Sequence, residues 1–184
     1  MEFAELVEER RSIRAFEERE VEPAKLDDIL HAASRAPSAG NLQAFRVAVA
    51  RGPSLRRRLA QAARDQDFVA QAPVVLVFLA DPSASAVKYG RRGAALYAVQ
   101  DATIACAYAQ LGACNAGLGS CWVGAFRENQ VRAALGVGQE LRPVALLPMG
   151  YSAEIPEVTS RRPLSETVLN TDVSRWRRSN RRAR

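Results

Sequence analysis

Residues 94–116 read AALYAVQDATIACAYAQLGACNA, and this run decides how the chain is organised. It is too long for a strand, so it reads as a helix; lacking a polar face, it reads as a central, buried one. Gly117-Leu118-Gly119-Ser120 ends it. Upstream, Pro73–Ala80 is β-branched and shows no alternation, which suits a strand buried on both faces. Phe45–Ala50 and Pro143–Met149 read as two further strands, and Cys121–Val123 as a short strand or loop. Asp81–Gly93 reads as a loop or short helical link.

The remaining segments are helical. Residues 2–10 place Phe3, Leu6 and Val7 on one stripe. Pro23 suits the first turn of a second helix, whose apolar face is Leu26, Ile29, Leu30 and Ala33. That helix must stop near Pro37-Ser38-Ala39-Gly40-Asn41, a dense turn cluster. Leu55–Ala63 is a helix with Arg56, Arg57 and Arg58 on its outer side, and Glu128–Leu135 is another. Beyond Gly150 the chain is Pro-rich and less regular. The order α-α-β-α-β-α-α-β is not a run of βαβ units. It implies an α+β fold, with a small sheet packed against a long buried helix.

Composition narrows the function classes. The 184 residues, 48% hydrophobic and 25% charged, fit one globular domain over residues 1–174 with a basic tail at 175–184. The tail holds six arginines and no acid, leaving 20 basic against 20 acidic residues in 1–174, so the net charge of +6 belongs to the tail. It reads as a frayed, solvated end; docking on nucleic acid is the less favoured alternative. The apolar runs fall far short of the ~20 residues that span a bilayer. Met1–Glu5 is acidic and lacks a secretory layout, so the expected location is cytoplasmic, with no membrane partner. Cys106, Cys114 and Cys121 are too few and too widely spaced for a zinc ribbon or a CxxC pair, and read as small buried residues. With His31 alone, a Ser-His-Asp site or a multi-histidine metal site is hard to build, and no metal is expected. An enzyme of this composition would lean on a bound cofactor. There is no P-loop. Gly117-Leu118-Gly119 and Gly136-Val137-Gly138 lack the third glycine and the preceding strand of a Rossmann fingerprint.

Four clusters could carry chemistry. Arg10-Arg11-Ser12-Ile13-Arg14 offers three guanidiniums and a hydroxyl, a phosphate grip or a solvated basic turn. Pro37-Ser38-Ala39-Gly40-Asn41-Leu42-Gln43 offers amides and a hydroxyl to a polar heterocycle, or simply ends a helix. Gly117–Gly124 lets backbone approach a ligand closely, with Trp122 either stacking or in the core. Ser160-Arg161-Arg162-Pro163-Leu164 is a second basic patch, or surface charge. Tyr89, Trp122 and Phe126 are candidates for a pocket wall.

Taken in order, these motifs resemble the nitroreductase family of FMN-dependent oxidoreductases. The resemblance runs from Arg10, Arg11, Ser12, Arg14 and Phe16, through Pro37, Ser38, Asn41 and Gln43, to Gln100, Asp101 and Ala105. It continues through Gly117-Leu118-Gly119-Ser120-Cys121-Trp122 and Pro143–Tyr151 to Arg161–Leu164. Two departures stand out. Ala44 replaces the family's proline, and residues 81–93 are shorter than the helical insertion that shapes the substrate pocket in many relatives.

The resemblance implies a nitroreductase-like fold, with a small mixed or antiparallel sheet, helices on both sides and an intertwined homodimer holding FMN at its interface. Arg10, Ser12 and Arg161 would hold the phosphate, helped by Arg11 and Arg162. Arg14 would lie near the ribityl chain and the N1–C2=O edge. Pro37, Ser38, Asn41 and Gln43 would reach the flavin from the other subunit. Ser120, Cys121, Trp122 and Gly124 would run along the ring, and Gln66 would touch the ribityl chain. No side chain need act as nucleophile. The implied reaction is ping-pong: NADH or NADPH delivers hydride to the flavin, and a small electron-poor acceptor, a nitroaromatic or quinone, takes the electrons. The alternatives are another reaction on the same scaffold (reductive dehalogenase, flavin destructase or azoline oxidase) or a non-catalytic flavin-binding module.

Overall fold

A computed structural model describes residues 1–169. The 175–184 tail lies outside the described residues.

Strand β2 (Val74–Ala80) is the axis of the molecule, and every one of its side chains is buried. Strand periodicity of two explains how an unbroken apolar run can serve two layers. Val74, Leu76 and Phe78 face one core, and Val75, Val77 and Leu79 face the other. The first core is completed by α2 (Pro23–Ser34) and α6 (Ala98–Asn115), through Leu26, Ile29, Ala105, Cys106 and Ala109. The second is completed by α3 (Pro53–Ala62) and α7 (Glu128–Leu135), through Leu59, Ala62, Val131 and Ala134. Helices therefore cover both sides of the sheet.

The sheet has four strands in the order β1 (Phe45–Ala50), β2, β4 (Arg142–Gly150), β3 (Gly119–Ser120), all antiparallel. Three strands are predicted from the sequence. The fourth is the two-residue β3, which lies one step before the Cys121–Val123 segment. Val123 contributes only a bridge to Leu146. Two residues are too short to show a hydrophobic period, so β3 could be found only through its partner.

Of the two readings of the 81–93 segment, a loop or a short helical link, the helical one holds, and the helix is longer than a link. It is α5 (Pro82–Arg92), capped by the Asp81 carboxylate accepting from Ala84 N–H at 3.1 Å. A π-helical turn, Gly93–Tyr97, then leads into α6. The long 94–116 run is thus a π-turn plus an α-helix. Its burial is one-sided: Ala98, Asp101, Ala102, Ala105, Cys106, Ala109, Gln110 and Ala113 are covered, whereas Ala107 and Tyr108 face outward. Small side chains on the covered face let α6 lie close to α2 and the sheet. The expected stripe of α1 (Phe3–Glu9) is not covered either, with Phe3 69% exposed. Two short helices, α4 (Phe68–Gln71) and α8 (Leu164–Thr167), add to the elements read from sequence.

Candidate functional site

The Arg10–Arg14 segment follows α1 and is held against β3. Ile13 N–H donates to Ser120 O at 3.0 Å, and Ser12 and Ser120 form a parallel bridge. This approach requires a glycine at 119, because a Cβ there would sit 2.7 Å from Ile13 Cγ1. The carboxylate of Glu154 accepts from the N–H groups of Arg14 and Ala15, fixing the segment from its other side. The result is a cavity of about 290 Å³ whose walls include Arg10, Arg11, Ser120, Glu154 and the Gly117–Gly119 backbone. Arg10 and Arg11 have no ion-pair partner among the described residues, while Glu9 and Glu154 share the wall. Two guanidiniums beside a hydroxyl and exposed backbone suit an anion such as a phosphate. Arg11 also lines a smaller hollow of about 100 Å³ with Arg161, so the two basic motifs, far apart in sequence, meet here. Arg161 is steadied by the Thr159 hydroxyl at 2.9 Å. Arg162 is exposed and lines neither hollow.

Cys121 sits behind this cavity. Burial pushes its thiol up from the ordinary value, Arg14 and a hydrogen bond with Ser12 pull against that, and Glu154 adds to the rise. The thiol is therefore held neutral, which suits a packing role and not a nucleophilic one. Cys106 is raised by burial as well. Cys114 is only half-buried and lines the cavity, unlike the fully buried residue expected.

The Pro37–Gln43 turn forms a second locus. Buried Asp101 of α6 accepts from Ala39 N–H at 2.9 Å and from Ala44 N–H at 3.2 Å, gripping the turn at both ends. Ser38 Oγ accepts from Gln43 N–H at 3.0 Å. Asn41 and Gln43 adopt φ values of 59° and 49°, a left-handed backbone that side chains other than glycine rarely take, and both side chains are exposed. Pro37 and Ser38 line a cavity of about 490 Å³ with Tyr97, Gln100, Asp101 and Ile104. That cavity shares no residue with the Arg10 cavity.

The other expected residues stand apart from both loci. Gln66 donates to Ala63 O at 2.7 Å and to Ala125 O at 3.4 Å, tying the end of α3 to the 124–126 loop. Trp122 packs partly buried against the α2/α6 core, and Gly124 is exposed beside it. Sequence reasoning gave no role to Asp101 or Glu154. The first carried a usable signal: it is the only charge in the 94–116 run, and a buried carboxylate must find donors. Glu154 lies in an aperiodic stretch and carried none.

Comparison with known proteins defines the class. The family model described as the Nitroreductase family matches residues 7–66 and 63–151. The chain is 37% identical over 187 residues to an NADH dehydrogenase of Thermus thermophilus, covering 87% of this chain and 91% of that one. It superposes on a nitroreductase family protein of Clostridium difficile 630 with a TM-score of 0.83 and 31% identity, over 94% of this chain and all of that one. The NADPH:FMN oxidoreductase of Vibrio harveyi, in complex with NAD+, gives a TM-score of 0.84 at 26% identity, over 92% and 76% of the two chains. This chain belongs to the nitroreductase family.

Proposed function

We propose that the chain is an FMN-dependent NAD(P)H oxidoreductase that works as a homodimer with the flavin between subunits. The observation that carries this reading is the pairing of Arg10, Arg11 and Ser120 around one cavity fit for a phosphate. The names of its relatives, which include an NADPH:FMN oxidoreductase, support the same assignment. When bound, FMN supplies the redox chemistry, taking a hydride from NADH or NADPH and passing electrons to a small acceptor such as a nitroaromatic or quinone in a ping-pong cycle. Arg10, Arg11 and Arg161 would supply the charge that neutralises the phosphate, Ser12 would add a hydroxyl donor, and Arg162, which lines neither hollow, would add only long-range charge. Arg14 supplies positive charge where the cofactor becomes anionic. By the family resemblance Ser120 and Cys121 would border the ring, with Trp122, Gly124 and Gln66, which line neither cavity in the single chain, reaching it only along the neighbouring 121–126 segment. Pro37, Ser38, Asn41 and Gln43 complete the site from the second subunit.

The two-subunit arrangement is supported by the separation of the two loci in one chain. It is also supported by the uncovered apolar side chains Phe3, Val7, Tyr108 and Leu164 on α1, α6 and α8. Co-expression of an Arg10→Ala chain with a Ser38→Ala/Gln43→Ala chain tests it. Mixed dimers are expected to hold one FMN with native affinity, because one site then receives an intact half from each chain. Two equally weakened sites would place the flavin within a single subunit.

A further inference from the structure

The short stretch Lys88-Tyr89-Gly90-Arg91-Arg92 closes α5 and is not used in the flavin site above. Its position is unusual. A Cβ on Gly40 would lie 2.5 Å from Tyr89 Oη and 2.9 Å from Lys88 Nζ, so the end of α5 rests directly on the Pro37–Gln43 turn. Gly40 itself has φ 58°, a left-handed backbone that glycine takes most readily, and a larger residue there would have to displace the ends of Tyr89 and Lys88. Tyr89 packs edge-on against Tyr97, with ring centroids 5.1 Å apart, and Tyr97 lines the cavity beside the turn. Arg92 Nε donates to Tyr97 Oη at 2.9 Å, and its guanidinium lies 5.4 Å from the centre of that ring. Gly90 breaks the helix with φ 53° and ψ −140°, so Arg91 and Arg92 leave the line of α5. Lys88, Arg91 and Arg92 are all exposed, and none has an ion-pair partner among the described residues.

Lys88 lies over the Tyr89 ring and Arg92 over the Tyr97 ring, each 5.4 Å from the centroid, so the tyrosines hold these cations beside the turn and next to the cavity that Tyr97 lines, as an anion-binding edge. We propose that Lys88, Arg91 and Arg92 recognise the phosphates of the reducing dinucleotide, with the Tyr89/Tyr97 pair holding the cations in place. This inference rests on the reading that the Pro37–Gln43 turn flanks the flavin. It assigns to α5 a role in choosing the hydride donor.

The test uses the FMN-loaded, full-length protein with Lys88→Gln/Arg91→Gln, both exposed positions whose loss leaves the core intact, and with the charge-preserving Lys88→Arg/Arg91→Lys. Adenosine 2′,5′-bisphosphate binding, followed by calorimetry without turnover, should weaken roughly tenfold in the Gln pair and recover in the charge-preserving pair. Donor kinetics should change on KM and not on kcat. A KM rise for NADPH alone assigns the 2′-phosphate, and an equal rise for NADH assigns the pyrophosphate. Unchanged bisphosphate affinity and unchanged KM for both donors would overturn the proposal, as would loss of FMN from the Gln pair, which would assign these cations to the flavin instead. If the native protein's flavin is not reduced by either donor, the parent reading fails first and the donor site falls with it. If the native protein is reduced and the Gln pair matches it, only the donor site fails.

Discussion

Arg10 is the side chain on which the phosphate assignment leans most. It is half-buried at the cavity wall and has no acidic partner among the described residues. Its replacement by alanine should weaken FMN affinity by about tenfold to a hundredfold, the ~1.5–3 kcal/mol of one charge-assisted hydrogen-bonding arm. Fluorescence titration of the apoprotein with FMN measures it. Asp81 makes a different kind of prediction. Burial works to raise its carboxyl, but hydrogen bonds from Ser83 and the Ala84 N–H, with Arg46 nearby, outweigh that and hold it below 3.8. A folded-state value below the unfolded one stabilises fully above pH ~4, and the gain is lost as pH falls through the lower folded value. Asp81→Asn should therefore be less stable than the native chain at neutral pH, with the gap narrowing in denaturant melts below pH ~4. Asp81's cap partners lie two and three residues on, a local pattern the sequence carries but the segment's reading did not use, whereas the surroundings of Arg10 are not local. Sequence spacing placed Arg10, Arg11 and Arg14 in one segment, yet the hollow that Arg11 shares with Arg161 and the Glu154 clasp depend on chain paths about 140 residues or more apart, and no local pattern encodes them.

Among the elements, β2 was legible because seven apolar residues buried on two faces leave no polar alternation to confuse the reading. Phe78, wholly buried between β2 and the α2/α6 layer, should cost about 3–5 kcal/mol when cut to alanine, measurable by urea unfolding. The α6 helix was legible in extent but not in burial. Its small residues serve a close approach on one side, and nothing in their identity says that Ala107 and Tyr108 stay uncovered in one chain. Helix α5 was missed as a full element because glycines at 90 and 93 and a serine-rich start mask its period. The Asp101 clamp between α6 and the turn ties these elements together. Asp101→Ala leaves the N–H groups of Ala39 and Ala44 without their acceptor and should destabilise by about 2–4 kcal/mol, while lowering FMN retention through the loosened turn. Thermal melting with and without added FMN separates the two effects.

The three-layer architecture, a sheet covered on both sides by helices, supplies two apolar cores from one chain. Among the described residues no set of three metal-ligating side chains converges, and no helix is long and apolar enough to cross a membrane. The α+β class followed from the order of helical and strand patterns, and the family, with its helices on both sides of the sheet, from the order of the motifs. The proposed joining of two half-sites came only through the family resemblance, since no pattern within one chain marks which apolar surface another copy would cover. One measurement reaches the heart of the functional reading: the visible absorbance of freshly purified protein, recorded anaerobically before and after NADH and then NADPH. A yellow flavin spectrum that bleaches with either donor is the expected result. Colourless protein that also fails to take up added FMN would contradict it, leaving the family fold without the family chemistry.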